Sequence, residues 1–555
     1  MKKLSAILCL ILLTVVIISG CHQNKNVTEV IDYDETFCYE GECELYYKHI
    51  DGGIEIVGVG DTSITTEVIN YDETFCYEGE CELYYKHING GIEIVGVGDT
   101  SITEVDIPRE INERPVIKIG DYGLAGLTSM ESYTVPDYIL YIGNNAFQGC
   151  TSLKEITIPE SVLQLGDYAF NNCNSLTQIS ISDSVTSFGN YLFHNCSALE
   201  EFSLPGSMTV IPEGLFAGCS SLKNIIFHNK VTTVGSYVFR GCSSLTELSL
   251  PDSIEKLELA AFSDCVALKS ITIPPKVTEL PNAAFSRCEA LTSIVIPRAI
   301  KVIPNYAFHG CESLATVELH DSITDIGLHA FSYCNSLTSF TIPDGVTQLG
   351  IGAFESCKSL EYIELSGNVD TLPVSIFEEC SALEIIDIPY GIKEIGYHAF
   401  ASCTNIKSVT LPSSITTISE GAFMNCEWLD SVEIPYKVTV IGNAAFSSCY
   451  RLRSINLPEG LLEIGSNAFL QCRQLKSIKL PDSLRKIGSH AFGSCTGLTS
   501  ITIPASVELN TKYIFSGCYN LKNVYCEAEY DIDYKDLVWG LEHNATIHWG
   551  GTKDE

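Results

Sequence analysis

One spacing constrains this chain more than any other feature. A phenylalanine followed three residues later by a cysteine occurs at Phe147 and Cys150, at Phe170 and Cys173, and at Phe193 and Cys196. The pair continues without insertion to Phe515 and Cys518, always 23 residues on, in 17 copies. One earlier copy carries Leu124 and Leu127 in the two slots. A chain held to one register over most of its length does not divide into unrelated globular domains. It stacks equivalent units, because no single unit can bury its own apolar side.

The unit from Leu153 to Cys173 shows how. Ile156 and Ile158 alternate with Glu155 and Thr157, which predicts a short strand with one buried face. Pro159 has no N–H to offer a neighbouring coil and ends that strand. Val162 and Leu165 supply a second apolar contact on the return path. Gly166 is expected to permit a turn, and Ala169 and Phe170 to sit in a tight helical turn. A fixed period of about 20–29 residues with leucine-like positions marks a leucine-rich solenoid. The expected fold class is therefore an α/β-type repeat solenoid: a leucine-rich repeat right-handed superhelix of 23-residue units with short parallel strands and a β-rich N-terminal cap. Roughly 19 strands stacked about 4.8 Å apart would give a spine on the order of 90 Å.

The repeated cysteine falls in an inward slot, where a free thiol behaves as a small hydrophobe. Stacking brings neighbouring cysteine Cα atoms within disulfide range. The parallel Cβ vectors of a ladder nevertheless oppose bridging, which needs Cβ atoms about 3.8 Å apart. Seventeen is also odd. The ladder is expected to be unpaired and structural. A metal or redox array is the alternative, and it lacks the paired His/Cys spacing of such sites.

The segment "LTSFTIPDGVTQLGIGAFESC", residues 337 to 357, resembles the BspA-like, treponemal-type leucine-rich repeat family at nearly every defining position. The resemblance spans about Glu104 to Cys526. Departures are minor: Ser182, His228, His320 and Ser366 replace the strand-ending proline, and Pro212, Pro281, Pro304 and Pro373 replace the turn glycine. The resemblance implies a bacterial surface protein concerned with attachment and protein binding rather than catalysis. It carries over no functional residue, since the repeated positions are structural.

The N-terminus "MKKLSAILCLILLTVVIISGC" has two lysines, an apolar stretch from Leu4 to Ile18 that is short for a spanning helix, and small residues closing it. This reads as a secretory signal over residues 1–20. Its end, "IISGC", resembles a bacterial lipobox, which implies a lipid on Cys21 as the membrane anchor; an ordinary cleaved signal is the alternative. Bacterial lipoproteins carry two acyl chains at that cysteine, and stable anchoring needs more than one. Residues 21–27 would be a linker. The expected location is extracytoplasmic, on a bacterial cell surface, with the membrane engaged through the lipid alone. Net charge is −36, and loss of Lys2 and Lys3 with the signal takes it to −36 − 2 = −38. This argues against nucleic acid as a partner, since nucleic acid needs a basic footprint, and none is expected.

Residues 28–65 and 66–103 are nearly identical, differing at Asp32 against Asn70 and Asp51 against Asn89. This tandem β-rich module, 28–103, precedes the solenoid at 104–526. Its second copy is expected to run into a first strand at Val105 to Ile107 and to cover the open end of the core. In each copy two cysteines flank a Gly-containing turn: Cys38 and Cys43, and Cys76 and Cys81. An intra-hairpin disulfide is expected, with reduced thiols or pairing between copies as alternatives. Residues 527–555 leave the register, and Trp539, Leu541, Ile547 and Trp549 are expected to cover the last coil.

No Gly-x-Ser-x-Gly, His-Glu-x-x-His, phosphate loop or Gly-x-Gly-x-x-Gly occurs, so no catalytic, cofactor or metal residue is assigned, and the chain is not expected to be an enzyme. Function must come from surface slots that vary between units. On the strand face one slot holds Thr157, Ser180, Ser203, Ser249 and Thr272, then Glu318, Glu364, Asp387, Glu433 and Lys479. The slot before is often serine: Ser408, Ser431, Ser454, Ser477 and Ser500. Aromatic residues interrupt this plane between 360 and 450. Tyr362 lies on the strand face, Tyr390 and Tyr436 share the slot after the strand-ending proline, and Trp428 and Tyr450 follow Cys426 and Cys449. Exposed Tyr and Trp are frequent binding anchors, although each ring can instead pack on its neighbouring coil. The expected function is an adhesin or protein-binding scaffold whose ligand is a host-matrix or cell-surface protein or a glycan. The alternatives are a structural spacer of the cell envelope, and a peptide or glycan capture protein.

Overall fold

In a computed structural model of the protein, side chains are described for residues 83–508, 510–529, 539–541 and 545–550; several strands between 35 and 82 are described by their backbone alone. The core is one continuous column. Most coils contribute two short strands that pair in parallel with the equivalent strands 23 residues away, as Glu155–Thr157 does with Gln178–Ser180 and Gln164–Leu165 with Ser187–Phe188. Two ladders therefore run along the solenoid. The first carries the alternation read from the sequence, with Ile156 buried between exposed Glu155 and Thr157. The second is only two residues wide, too short to show any period.

The third side of each coil is a corner without a helix. Tyr168 (φ 56°) and Asn172 (φ 59°) bracket Phe170 in the left-handed region, which a right-handed helix cannot contain. Single-turn bonds replace helical ones: the Asn171 N–H donates to Tyr168 O at 2.9 Å and the Cys173 N–H to Phe170 O at 3.2 Å. The helical turn expected at Ala169 and Phe170 is thus corrected. So is the role of Gly166. It is not among the residues of positive φ; a Cβ there would meet Asn144 N and Gly143 C of the preceding coil at 2.5 Å. The glycine permits close approach of two backbones rather than a turn.

The phenylalanines of the 23-residue slot, from Phe147 to Phe515, are fully buried. Successive rings lie 5.2–5.9 Å apart and within 24° of parallel, an offset stack along the whole solenoid. Beside it run the cysteines, all free and buried. Each thiol from Cys150 to Cys518 donates to a main-chain carbonyl 26 residues back at 2.9–3.3 Å. Phe147 O, for example, accepts both the Cys150 N–H and the Cys173 thiol. Cysteine is thus more than a small hydrophobe here. It ties each corner to the one before.

At the N-terminal end, Glu73–Tyr77, Cys81–Ile88 and Gly91–Val97 form an antiparallel run that continues the second ladder, Gly91–Val97 pairing in parallel with Arg114–Ile119. Leu83, Tyr85, Ile92 and Ile94 enter the core. The strand expected at Val105 to Ile107 does not form, although both residues are buried. The duplication explains the difference. In the first copy the edge of Gly53–Val59 takes Glu67–Asn70, antiparallel. The equivalent edge of Gly91–Val97 is already occupied by Arg114–Ile119. At the other end Thr546–Trp549 pairs with Asn523–Cys526. Trp539 is buried 6.4 Å from the Phe515 ring, with Leu541, Ile547 and Trp549 against the core.

Candidate binding surface

Burial separates the repeated slots from the variable ones. The inward positions are nearly uniform from coil to coil, whereas the exposed positions of the first ladder are not. The serine slot forms a row one coil apart: Ser408 pairs in register with Ser431, and Ser431 with Ser454. A shallow depression of about 580 Å³ lies over the early coils, lined by Thr157, Gln178, Ser180, Glu201, Ser203 and Ile226. It sits where the first ladder breaks between Gln178–Ser180 and Glu201–Ser203.

The aromatic residues singled out in the sequence divide into two groups. Tyr362 (51% exposed), Tyr390 (73%) and Tyr436 (67%) stand open to solvent. Tyr390 and Tyr436 flank exposed Ser413 in one slot, about 10 Å apart at two coil steps. Lys437 Nζ lies 5.7 Å from the Tyr436 ring. Trp428 and Tyr450 instead carry arginines of the following coil on their faces. The Arg451 guanidinium is 4.0 Å from the Trp428 centroid and that of Arg473 is 4.8 Å from the Tyr450 centroid. These two rings are platforms for cations, and they pack on the neighbouring coil as the plainer reading of the sequence allowed.

Another part of the surface is used by the fold itself. Opposite charges 23 residues apart pair across coils: Glu131 with Lys154 at 2.7 Å, Glu200 with Lys223 at 2.8 Å, Glu384 with Lys407 at 2.7 Å and Asp430 with Arg453 at 2.9 Å. All are exposed, so each stabilises by under about 1 kcal/mol. His228 and His320, in the proline slot, reach the carbonyls of Pro205 and Pro297 in the preceding coils at 2.8 and 3.0 Å. Sequence reading missed these pairs; comparing charges at a separation of 23 reveals them.

Among the described residues no cluster of His, Cys, Asp and Glu could hold a metal ion, and no helix is long and apolar enough to cross a membrane. Burial raises the thiol pKa along the ladder, to about 12 at Cys357, which keeps these sulfurs protonated and unreactive. Cys150, at the end, is the exception: a hydrogen bond with Cys173 lowers it. Cys21 lies outside the described residues, as do the side chains of Cys38, Cys43, Cys76 and Cys81. The backbone register sets Cys38 opposite Glu44 and Cys43 opposite Tyr39.

The model of the family described as BspA type leucine rich repeat region, a unit of six copies, matches residues 117–245, 209–338, 325–453 and 416–532, well over half the chain. The chain belongs to this BspA-type leucine-rich repeat family. Among solved structures, a leucine-rich repeat protein from Bacteroides ovatus is similar at 24% identity and a TM-score of 0.43, over 84% of this chain and 98% of that one. A leucine rich cell surface protein from Faecalibacterium prausnitzii is similar at 27% identity and a TM-score of 0.42, over 69% and 94% of the two chains. A leucine-rich repeat protein from Eubacterium ventriosum is similar at 20% identity and a TM-score of 0.39, over 68% and 94%. No curated protein matches.

Proposed function

We infer that this BspA-type repeat protein is a binding scaffold, an adhesin held outside a bacterial cell by a lipid on Cys21. A host-matrix or cell-surface protein, or a glycan, docks along the face of its first ladder. One observation carries this reading: the interior slots repeat while the exposed slots of the same strands differ in charge, size and aromaticity from coil to coil. A solenoid that only spaced its ends apart would have no use for that contrast. Of the aromatic residues between 360 and 450 singled out above, Tyr390 and Tyr436 are the most exposed, at 73% and 67%. Large rings with two side-chain torsions order cheaply on binding, which suits them to the task. The test is saturable binding of the purified protein to immobilised host-matrix proteins and epithelial cells. The Tyr390→Ala, Tyr436→Ala double variant should lose that binding and keep its melting temperature. Equal binding by the double variant would remove the tyrosine pair from the function. No saturable binding by the parent protein would favour a structural spacer.

A further inference from the structure

The charge of the first-ladder face changes sign along the solenoid. In the four coils spanning 358–364, 381–387, 404–410 and 427–433, the segment from just after the cysteine to the end of the strand carries Glu361, Glu364, Glu384, Asp387, Glu427, Asp430 and Glu433, against Lys358 and Lys407. The same segments of the next four coils, 450–456, 473–479, 496–502 and 519–525, contain no Asp or Glu. They carry Arg451, Arg453, Arg473, Lys476, Lys479 and Lys522 instead. This is a basic plateau on a chain of net charge −36. We propose that it is a recognition site for an anionic glycan, a short run of sulfated or carboxylated sugars laid across these coils.

Three observations on the plateau favour this ligand class. First, two of its cations are pre-organised. The guanidinium carbons of Arg451 and Arg473 lie over the rings of Trp428 and Tyr450, 4.0 and 4.8 Å from their centroids. A cation held over a ring keeps N–H groups for the paired oxygens of a sulfate or carboxylate; in Arg473 one of them, at Nη2, donates to Gln471 Oε1 at 3.3 Å and the others remain. Among the described residues, Arg451, Arg473 and Lys476 make no ion pair. Arg453 and Lys479 are partly engaged, with Asp430 at 2.9 Å and Glu459 at 3.4 Å. Second, the cations border a row of hydroxyls. Ser431, Ser454, Ser477 and Ser500 advance one coil at a time beside them, suited to the neutral hydroxyls of a sugar. Tyr519, 69% exposed, shares the slot of Tyr450 and Arg473, two coils beyond Arg473.

Third, the spacing fits. Coils step by about 4.8 Å, close to the advance of one sugar residue in an extended glycan, whereas an extended peptide advances about 3.3 Å per residue and drifts out of step. Four coils cover roughly 14 Å, three such steps, so the site takes a few sugars. The acidic coils on its N-terminal side repel anything longer that turns that way, which also disfavours a nucleic acid strand.

The proposal rests on the scaffold reading and names the ligand class for one part of it. Its test is calorimetric or surface-based titration of the purified full chain with heparin oligosaccharides, hyaluronan oligosaccharides, poly-glutamate and a single-stranded oligonucleotide, at low and physiological salt. Saturable binding of heparin or hyaluronan fragments, weakening with salt, is expected. Hyaluronan carries carboxylates alone and heparin carries both groups, so binding of hyaluronan shows that carboxylates suffice, and binding of heparin without hyaluronan shows that sulfates are needed. The Arg473→Gln, Lys476→Gln variant should bind about tenfold more weakly or worse, as for lost charge-assisted bonds. Lys154→Gln, Lys223→Gln, in the same slot as Lys476 of early coils, should bind as the parent does. Undiminished binding by the first variant, absent glycan binding, or tighter binding of poly-glutamate or oligonucleotide would overturn the assignment. Matrix-protein binding measured on the same samples separates the two readings. If it persists without glycan binding, only this inference fails; if both are absent, the scaffold reading fails as well.

Discussion

Removing one ring from the phenylalanine stack tests the argument for the core. Phe308 is fully buried, with its centroid 5.7 Å from Phe285 and 5.3 Å from Phe331, rings tilted by 10° and 8°. Phe308→Ala leaves a cavity between two coils whose backbones are held apart by their own ladders and cannot collapse into it. Burial and cavity together cost about 3–5 kcal/mol. Two stacked pairs are lost at about 0.5–1.5 kcal/mol each, which places the variant in the upper half of that range, about 4–5 kcal/mol. A solenoid couples each unit only to its neighbours, so the loss should be local. Native-state hydrogen exchange should show weakened protection at the Phe308, Phe331 and Ala330 amides, while the coils around Phe193 and Phe469 keep theirs. Urea denaturation should become broader or biphasic. A loss under about 1 kcal/mol, or one spread evenly over all coils, would refute the view that the stack is a chain of local interfaces.

Cys311→Ser should be mild, about 1 kcal/mol by urea denaturation, because Phe285 O, 3.1 Å from the thiol, remains to accept the hydroxyl. A loss of several kcal/mol would mean that the hydroxyl does not inherit the bond. The thiols should also make the protein sensitive to alkali. Burial raises their pKa in the folded state, as at Cys242, Cys357 and Cys472. The folded chain therefore keeps protons that the unfolded chain releases near its ordinary pKa of about 8.5. Stability is full below that value and falls as pH rises above it; equal urea midpoints at pH 8 and pH 10 would contradict this. Gly166→Ala should lower the melting temperature, at a cost of about 1–3 kcal/mol or more, because the new methyl meets main-chain atoms at 2.5 Å. An unchanged melting temperature would show that the two backbones can move apart without cost and that the close approach does not require glycine. Cys21→Ser should move the protein from the detergent phase to the aqueous phase on partitioning, and unchanged partitioning would sink the lipid anchor.

Much of the fold is legible in one dimension because the register is. The 23-residue period, the buried Phe and Cys slots, the strand of the first ladder and its proline stop all follow from apolar spacing, since every coil obeys the same packing rule. Some local geometry was not legible. The second ladder is two residues wide and carries no alternation. The corner is non-helical because Tyr168 and Asn172 adopt left-handed backbone, a state that tyrosine does not announce. Nor does a glycine show whether it serves a turn or a close contact.

The candidate surface divides in the same way. That Tyr390 and Tyr436 share a slot is arithmetic on the period, and their exposure follows from the slot. That Trp428 and Tyr450 are platforms depends on which residue stands 23 positions later, Arg451 and Arg473, and on stacking that brings them within reach of the rings. The sequence by itself determined the repeat, the core and the family. The tertiary structure alone decided that Val105 to Ile107 forms no strand, with Arg114–Ile119 on the edge of Gly91–Val97 that the corresponding segment takes in the first copy. It also decided that each thiol donates to the coil before it, and that cations one period apart between Arg451 and Lys522 lie side by side on one plateau. Side chains one period apart are distant in the chain and adjacent in space, so their charges and rings act together only once the coils are stacked.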